Sequence, residues 1–287
     1  MEPSPARKGQ SIALKLEREA AALPPRAVVR RAPEGEALAM LARRGIRPMQ
    51  ARPDLAFPLG LPEPVLDRLA DLLGHYAFRL FLRAAILSGP FEPAAMTRYL
   101  TATQAAGLAE KLAELGLANR LPEQKYSLAH PARSFGGTLE WYVARELRRR
   151  YAFDVAVGLK LRGRSSGGDL DVVAAAEGKL VYIELKSSPP KYLTPSEVGA
   201  FLERVRMVRP DVSLFAMDTA LRLSDKVIPM LQEKLSAQGA AGFPARVKKE
   251  LWAMTPHLYA VNAQPDLMEN IGRGIAEGLR ALAPPPP

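Results

Sequence analysis

Gly168-Asp169-Leu170-Asp171-Val172-Val173, followed by Leu180-Val181-Tyr182-Ile183-Glu184-Leu185-Lys186, is the stretch whose reading decides the fold. Between the two runs, Ala176-Glu177-Gly178-Lys179 has the glycine that a tight hairpin turn needs, so the runs are expected to pair as antiparallel strands. Side chains alternate along a strand. Glu184 and Lys186 therefore share a face, as do Asp169 and Asp171, while Val181, Ile183 and Leu185 point the other way. One face is expected to be core and the other chemistry. Facing carboxylates at Asp171 and Glu184, with the backbone carbonyl of Leu185 as a third donor, would make a hard oxygen site suited to Mg²⁺ or Mn²⁺. Lys186 would hold or deprotonate the water that attacks a phosphodiester and help neutralise the charge that develops.

Working outward, Gly136-Gly137-Thr138-Leu139-Glu140-Trp141-Tyr142-Val143 opens an amphipathic helix that ends in Arg148-Arg149-Arg150, and a strand is expected from Phe153 to Leu161. The basic loop before Asp169 could hold substrate phosphate through Arg162 and Arg164, and Lys191 after the hairpin is a further candidate. Beyond it come an expected helix from Ser196 to Val208, a strand from Val212 to Met217 and a helix from Leu223 to Gln238. A strand from His257 to Asn262 and a helix from Pro265 to Leu282 follow, before a tail at Pro284 to Pro287 expected to be disordered. Asp218, at a strand end, reads as a turn or capping residue or as the edge of a site.

At these residues the chain resembles the PD-(D/E)XK nuclease superfamily, whose signature is an acidic residue, a hairpin turn and then Glu-x-Lys. The resemblance implies an α/β, restriction-endonuclease-like mixed sheet flanked by helices. It also implies a metal-dependent phosphodiesterase in which Asp171, Glu184 and Lys186 are catalytic and Glu140 is an additional active-site carboxylate. The two glycines, the Leu-Glu pair and the Asp-Leu-Asp-Val-Val strand are most similar to the nuclease domains of CRISPR ancillary effectors activated by cyclic oligoadenylate. That likeness covers residues from about 134 to about 220, and the helix from Ser196 to Val208 lacks the glutamine motif of the RecB-like branch.

Upstream, residues 63–130 carry helical periodicity from Val65 to Leu87, a break at Ser88-Gly89-Pro90, a short helix at Pro93 to Leu100 and a longer one capped near Thr101. Leu117 to Leu128 reads as a hairpin. The order resembles a winged helix, in which Thr101, Thr103, Gln104 and Lys111 would be the exposed polar residues of the third helix. Residues 1–62 read as a Pro- and Arg-rich arm, partly ordered, with helix-like pieces at Ser11 to Ala22 and Glu34 to Arg44; residues 131–283 read as the nuclease domain.

The 287 residues carry 40 Lys and Arg against 30 Asp and Glu, a net charge of +10 that suits a polyanionic partner. Nucleic acid is the expected partner, DNA more than RNA, with a homodimer as an option. The absence of cysteine excludes disulfides, thiol catalysis and cysteine-ligated zinc, and His75, His130 and His257 lie in unrelated segments. Nothing in the sequence has the length and apolarity of a membrane span or a signal core, so a cytoplasmic protein is expected. No phosphate-binding loop with Lys-Ser/Thr points to nucleotide hydrolysis. Two other functions fit the same residues: a catalytically silent nucleic-acid-binding or regulatory protein of this fold, and a nucleotide-activated defence effector.

Overall fold

The computed structural model describes residues 34–161, 169–240 and 244–283. Its helices are α1 (Glu36–Arg43), α2 (Glu63–Gly74), α3 (Tyr76–Ser88), α4 (Ala102–Glu114), α5 (Gly136–Tyr151), α6 (Pro195–Val208), α7 (Val227–Ala237) and α8 (Leu267–Leu282). Its strands are β1 (Met49–Gln50), β2 (Ala118–Arg120), β3 (Tyr126–Leu128), β4 (Asp154–Lys160), β5 (Asp169–Ala176), β6 (Lys179–Lys186), β7 (Val212–Met217), β8 (Ala245–Lys248), β9 (Leu251–Thr255) and β10 (Leu258–Asn262). The helix-like piece from Ser11 to Ala22, the loop with Arg162 and Arg164, and the Pro284 to Pro287 tail lie outside the described residues.

The hairpin at the centre forms through its two-residue turn. Glu177 and Gly178 both adopt positive φ, 53° and 71°, the backbone of a type I′ turn whose twist matches the strands it joins. Ala176 pairs with Lys179, and the ladder runs to Val172 opposite Ile183. β4 adds antiparallel to β5, and β7 lies parallel to β6, which requires a crossover that α6 supplies. The complete sheet has eight strands in the order β1-β4-β5-β6-β7-β10-β9-β8, mixed in direction. The succession α5-β4-β5-β6-α6-β7 within this mixed α/β body is compatible with a restriction-endonuclease-like fold.

Both faces of the sheet are covered. α5 and α8 lay Leu139, Val143, Ile271 and Ile275 over Val172, Val181, Ile183 and Val212. On the opposite face α6 and α7 set Val198, Phe201 and Leu231 against Val173, Tyr182 and Phe215. The expectation of one core face and one chemical face is therefore corrected. Central strands sandwiched between helix layers are apolar on both sides, so polar groups are confined to strand ends.

Several boundaries also differ from the sequence reading. The helix expected from Val65 to Leu87 is two helices, because His75 between them has an extended backbone at φ −87° and ψ 121°. Apolar periodicity continues across that bend and cannot reveal it. β8 and β9 were not anticipated; β8 is an exposed edge strand with the sequence Ala-Arg-Val-Lys, whose charges discourage further strand pairing. Residues 34–62 are more than an arm. The α1 residues Ala37 and Leu41 belong to the core under β4 and β5, the Ala37 amide donates to Asp154 at 2.7 Å, and β1 extends the sheet at β4.

Residues 63–130 build α2, α3, α4 and the β2–β3 hairpin, to which Phe91 is joined by reciprocal backbone hydrogen bonds with Tyr126. Their apolar residues, Phe78, Phe81 and Leu112 among them, run without interruption into the core beneath α5. Gly137 lets the backbone of the preceding segment come close at the start of α5, since a β-carbon there would stand 2.5 Å from the carbonyl oxygen of Asp54. A buried ion pair joins α3 to the end of β7: Arg79 Nε donates to Asp218 Oδ1 at 2.9 Å, and both side chains are 1% exposed. Arg79 also donates to the carbonyls of Leu73 and Gly74 at 2.7 and 3.1 Å. Asp218 is thus neither a cap nor part of a cleft. Its own amide donates to the carbonyl of Lys186 at 2.8 Å, and Arg83 donates to the carbonyl of Ser187. Among the described residues no helix is long and apolar enough to cross a membrane.

Removing one partner of so deeply buried a pair leaves the other charge without compensation. Arg79→Met is expected to lower unfolding free energy by about 3–5 kcal/mol, and Arg79→Met with Asp218→Leu to recover a large part of that loss. Urea denaturation of both variants checks it.

Candidate active site

The β5–β6 ladder stops at Val172 and Ile183, and the strands part beyond it. In place of a backbone partner, the Asp171 carboxylate accepts the Leu185 amide at 2.7 Å. The parting opens a cleft of about 360 Å³ lined by Asp169, Asp171, Glu184 and Lys186, with Ser196, Glu197 and Arg204 contributed by α6.

Glu184 is the most constrained of these groups, 2% exposed. Arg204 Nη2 donates to both its oxygens at 2.7 Å, Lys186 Nζ stands 3.0 Å from Oε1, and the Tyr182 hydroxyl donates to Oε2. Arg204 Nε in turn donates to the Tyr182 oxygen at 2.9 Å, closing a buried triad. Burial pushes the Tyr182 hydroxyl well up, and the Glu184 charge pushes it further. For Arg204, burial opposes the charge, but Tyr182 and Glu184 outweigh it and the guanidinium is held above its ordinary range. Lys186 behaves alike: burial works against its ammonium, and Glu184, then Asp171 and Glu197, raise it overall. Glu197 stands 3.6 Å from Lys186 and completes the capping box of α6 with Thr194. Its carboxyl is lowered, because hydrogen bonds from Thr194 and the charge of Lys186 overcome the effect of burial.

The remaining acids carry the opposite imbalance. Burial, then the charges of Glu184 and Glu140, raise Asp171 well above the carboxylate range against the pull of the Leu185 amide and Lys186. Glu140, on α5 over Gly158 of β4, is pushed up to about 7 by burial and by the charges of Asp169 and Glu184. The cleft therefore gathers Asp169, Asp171 and Glu184 around the cations of Lys186 and Arg204, and Glu140, on α5, lies near enough to feel the charges of Asp169 and Glu184. Among the described residues, no three Asp, Glu or His side chains stand close enough, as arranged, to hold a metal ion. The donors are nonetheless all oxygen and the acids outnumber the bases, a composition that suits a hard divalent cation.

Asp171, Glu184, Lys186 and the backbone of Leu185 are thus brought together, with Glu140 within range of the Glu184 charge. Thr103, Gln104, Lys111 and Lys191 do not line this cleft, and Arg162 and Arg164 lie outside the described residues. Gln104 spends its side chain on the Thr101 capping box at the start of α4, where Thr103 is exposed. Lys111 lines a cavity of about 210 Å³ with Asp71, His75 and Glu114, and Lys191 lies on a turn after β6 at a second cavity. His130 Nδ1 donates to the carbonyl of Leu55 at 2.9 Å. Tyr182, Arg204, Glu197 and Asp169 were missed as site residues. Arg204 carried a signal, a charged side chain in the buried row Phe201, Arg204, Val208 of an otherwise apolar helix face.

No family profile matches this chain, and no curated protein aligns with it significantly. Among solved structures it is similar to Can2 from Sulfobacillus thermosulfidooxidans, determined in complex with cyclic tetra-adenylate, with a TM-score of 0.50 and 16% identity over 85% of this chain. Protein VC1899 from Vibrio cholerae gives 0.47 and 15% over 86%. The chain spans 60% of the Can2 chain and 63% of the VC1899 chain. At this identity the likeness to Can2 is one of fold.

Two outcomes follow from the geometry. Arg204→Met leaves Glu184 with Lys186 as its remaining cation and is expected to destabilise the protein by about 3 kcal/mol, measured by chemical denaturation; Arg204→Lys, which has no second nitrogen to serve Tyr182 while another holds Glu184, recovers only part. Glu140 binds its proton more tightly folded than unfolded. Its contribution to stability is therefore full below its unfolded value near 4.5 and lost as pH rises through about 7. Thermal scans of wild type and Glu140→Gln between those values should diverge, with only the wild type losing this increment.

Proposed function

We propose that the protein is a metal-dependent nuclease of the PD-(D/E)XK type, hydrolysing phosphodiester bonds of nucleic acid, DNA in preference to RNA. The observation that carries this reading is the convergence of Asp171, Glu184 and Lys186 on one cleft where two paired strands part, with Glu140 within range of the Glu184 charge. Asp171, Glu184 and the carbonyl of Leu185 are the groups that would hold Mg²⁺ or Mn²⁺. Because the amide and carbonyl of a strand residue face the same neighbour, the Leu185 carbonyl is turned to the side on which Asp171 takes its amide. A bound divalent ion supplies Lewis-acid polarisation of the phosphate and offsets the negative charge of the transition state.

The chain's own residues do the rest. Lys186, positively charged beside Glu184, orients the attacking water and stabilises charge on the phosphoryl oxygens. Glu140, raised to about 7, can take a proton from that water near neutral pH and return it to solvent. Arg204 and Tyr182 fix the rotamer of Glu184 from below. As water attacks, the bond to the leaving oxygen breaks, and that oxygen takes a proton from solvent.

A second reading has its own observation. The bidentate Arg204–Glu184 pair already neutralises one of the metal-binding carboxylates, which favours a silent nucleic-acid-binding protein of the same fold. A third, activation by a cyclic oligoadenylate in a defence system, draws on the fold shared with Can2, which was solved with such a ligand. The helix order of residues 63–130 supports a winged-helix module in either case.

Purified protein incubated with labelled circular DNA, linear DNA and RNA is expected to cleave with Mg²⁺ or Mn²⁺ and to stop with EDTA. Lys186→Ala is expected to lose at least about a hundredfold in rate with its fold retained. Full activity in that variant removes the catalytic assignment, metal-independent binding without cleavage supports the silent reading, and cleavage only with cyclic tetra-adenylate present supports the third.

A further inference from the structure

A second open cavity, of about 540 Å³, is lined by Pro190 and Lys191 from the connection after β6 and by Leu221, Arg222, Asp225 and Lys226 from the connection after β7. Lys186 pairs with Met217 across the parallel β6 and β7, so the two connections leave the sheet side by side at the end that carries the catalytic lysine. The connection after β6 then continues into the first turn of α6, which delivers Ser196 and Glu197 to the catalytic cleft. One segment of chain therefore borders both cavities.

The lining is basic and largely uncommitted. Arg222 is exposed and has no hydrogen-bond or ion-pair partner among the described residues. The Lys191 ammonium rests 4.7 Å from the centroid of the Tyr192 ring, and Lys226 Nζ donates to the Lys191 carbonyl at 2.9 Å, tying the two rims together. Tyr192 and Leu221 are 62% and 54% exposed and contribute little to the core. Cations without acidic partners beside an exposed aromatic ring are what an unpaired nucleic-acid strand requires: phosphates meet the cations, and a base stacks on the ring.

We infer that this shelf is a binding site for single-stranded nucleic acid, with backbone phosphates on Lys191, Arg222 and Lys226 and a base on Tyr192. The strand held there is the one that continues out of the catalytic cleft, and in that respect the inference rests on the nuclease reading. Binding to the shelf does not require cleavage.

The test is fluorescence anisotropy of a labelled 20-nucleotide single strand in EDTA, titrated with full-length protein across a salt series. Lys191→Ala with Arg222→Ala is expected to weaken binding about tenfold at low salt and to reduce the log–log salt slope by about 1.4, at about 0.7 per lost contact. Arg43→Ala with Arg280→Ala, which removes the same charge from exposed helix positions, is expected to leave both unchanged. Tyr192→Ala is expected to cost about fivefold or more for the single strand and little for a duplex. Equal losses in the shelf and control variants, or a wild type that binds no single strand, overturn the inference. A wild type that binds through the shelf yet never cleaves with Mg²⁺ or Mn²⁺ keeps the shelf and overturns the nuclease reading; one that cleaves while the shelf variants bind and cleave unaltered does the reverse.

Discussion

Glu184 is a carboxylate with almost no contact with water, held on both oxygens by one guanidinium and touched by a tyrosine hydroxyl and an ammonium. An ionised acid in that position is tolerated only because each lone pair has a donor, and every donor comes from an element whose placement the sheet dictates. Tyr182 and Lys186 flank it on the same strand face, while Arg204 reaches it from the helix that must cross over to make β7 parallel to β6. The crossover thus does two jobs. It satisfies topology, and it brings the cation without which the strand end could not keep its acid.

Charge balance around that centre explains the shape of the cleft. Asp171 cannot approach Glu184 closely without repulsion, so it turns to the Leu185 amide, and the hairpin opens where its backbone ladder is given up. Glu140 arrives from α5 on the other layer, where burial, and then the charges of Asp169 and Glu184, raise its pKa toward neutrality. The strain of gathered acids is a property of the ensemble of four residues and has no counterpart in any one of them.

The helical residues 63–130 are coupled to this end of the sheet through backbone as well as side chains. Arg79 holds Asp218, whose amide holds the Lys186 carbonyl, and Arg83 holds the next carbonyl. Their core is shared with α5, so the strand end that carries the cleft has a packed wall behind it.

The sequence by itself determined the central hairpin, because Glu177-Gly178 between two apolar runs admits one turn type and one register, and it determined which acids and which lysine stand at the strand ends. A short, buried-looking apolar run also located β7 to the residue, and the start of α6 was placed to within one. Tertiary structure alone decided the rest. A strand's pattern cannot tell whether its second face meets solvent or a helix, so the burial of both faces was illegible. The bend at His75 interrupts no apolar periodicity, and β8 is a four-residue edge strand, exposed throughout and too short for its alternation to stand out. Arg204 and Asp218 owe their roles to partners 20 and 139 positions away along the chain, at separations where only folding brings opposite charges together out of water.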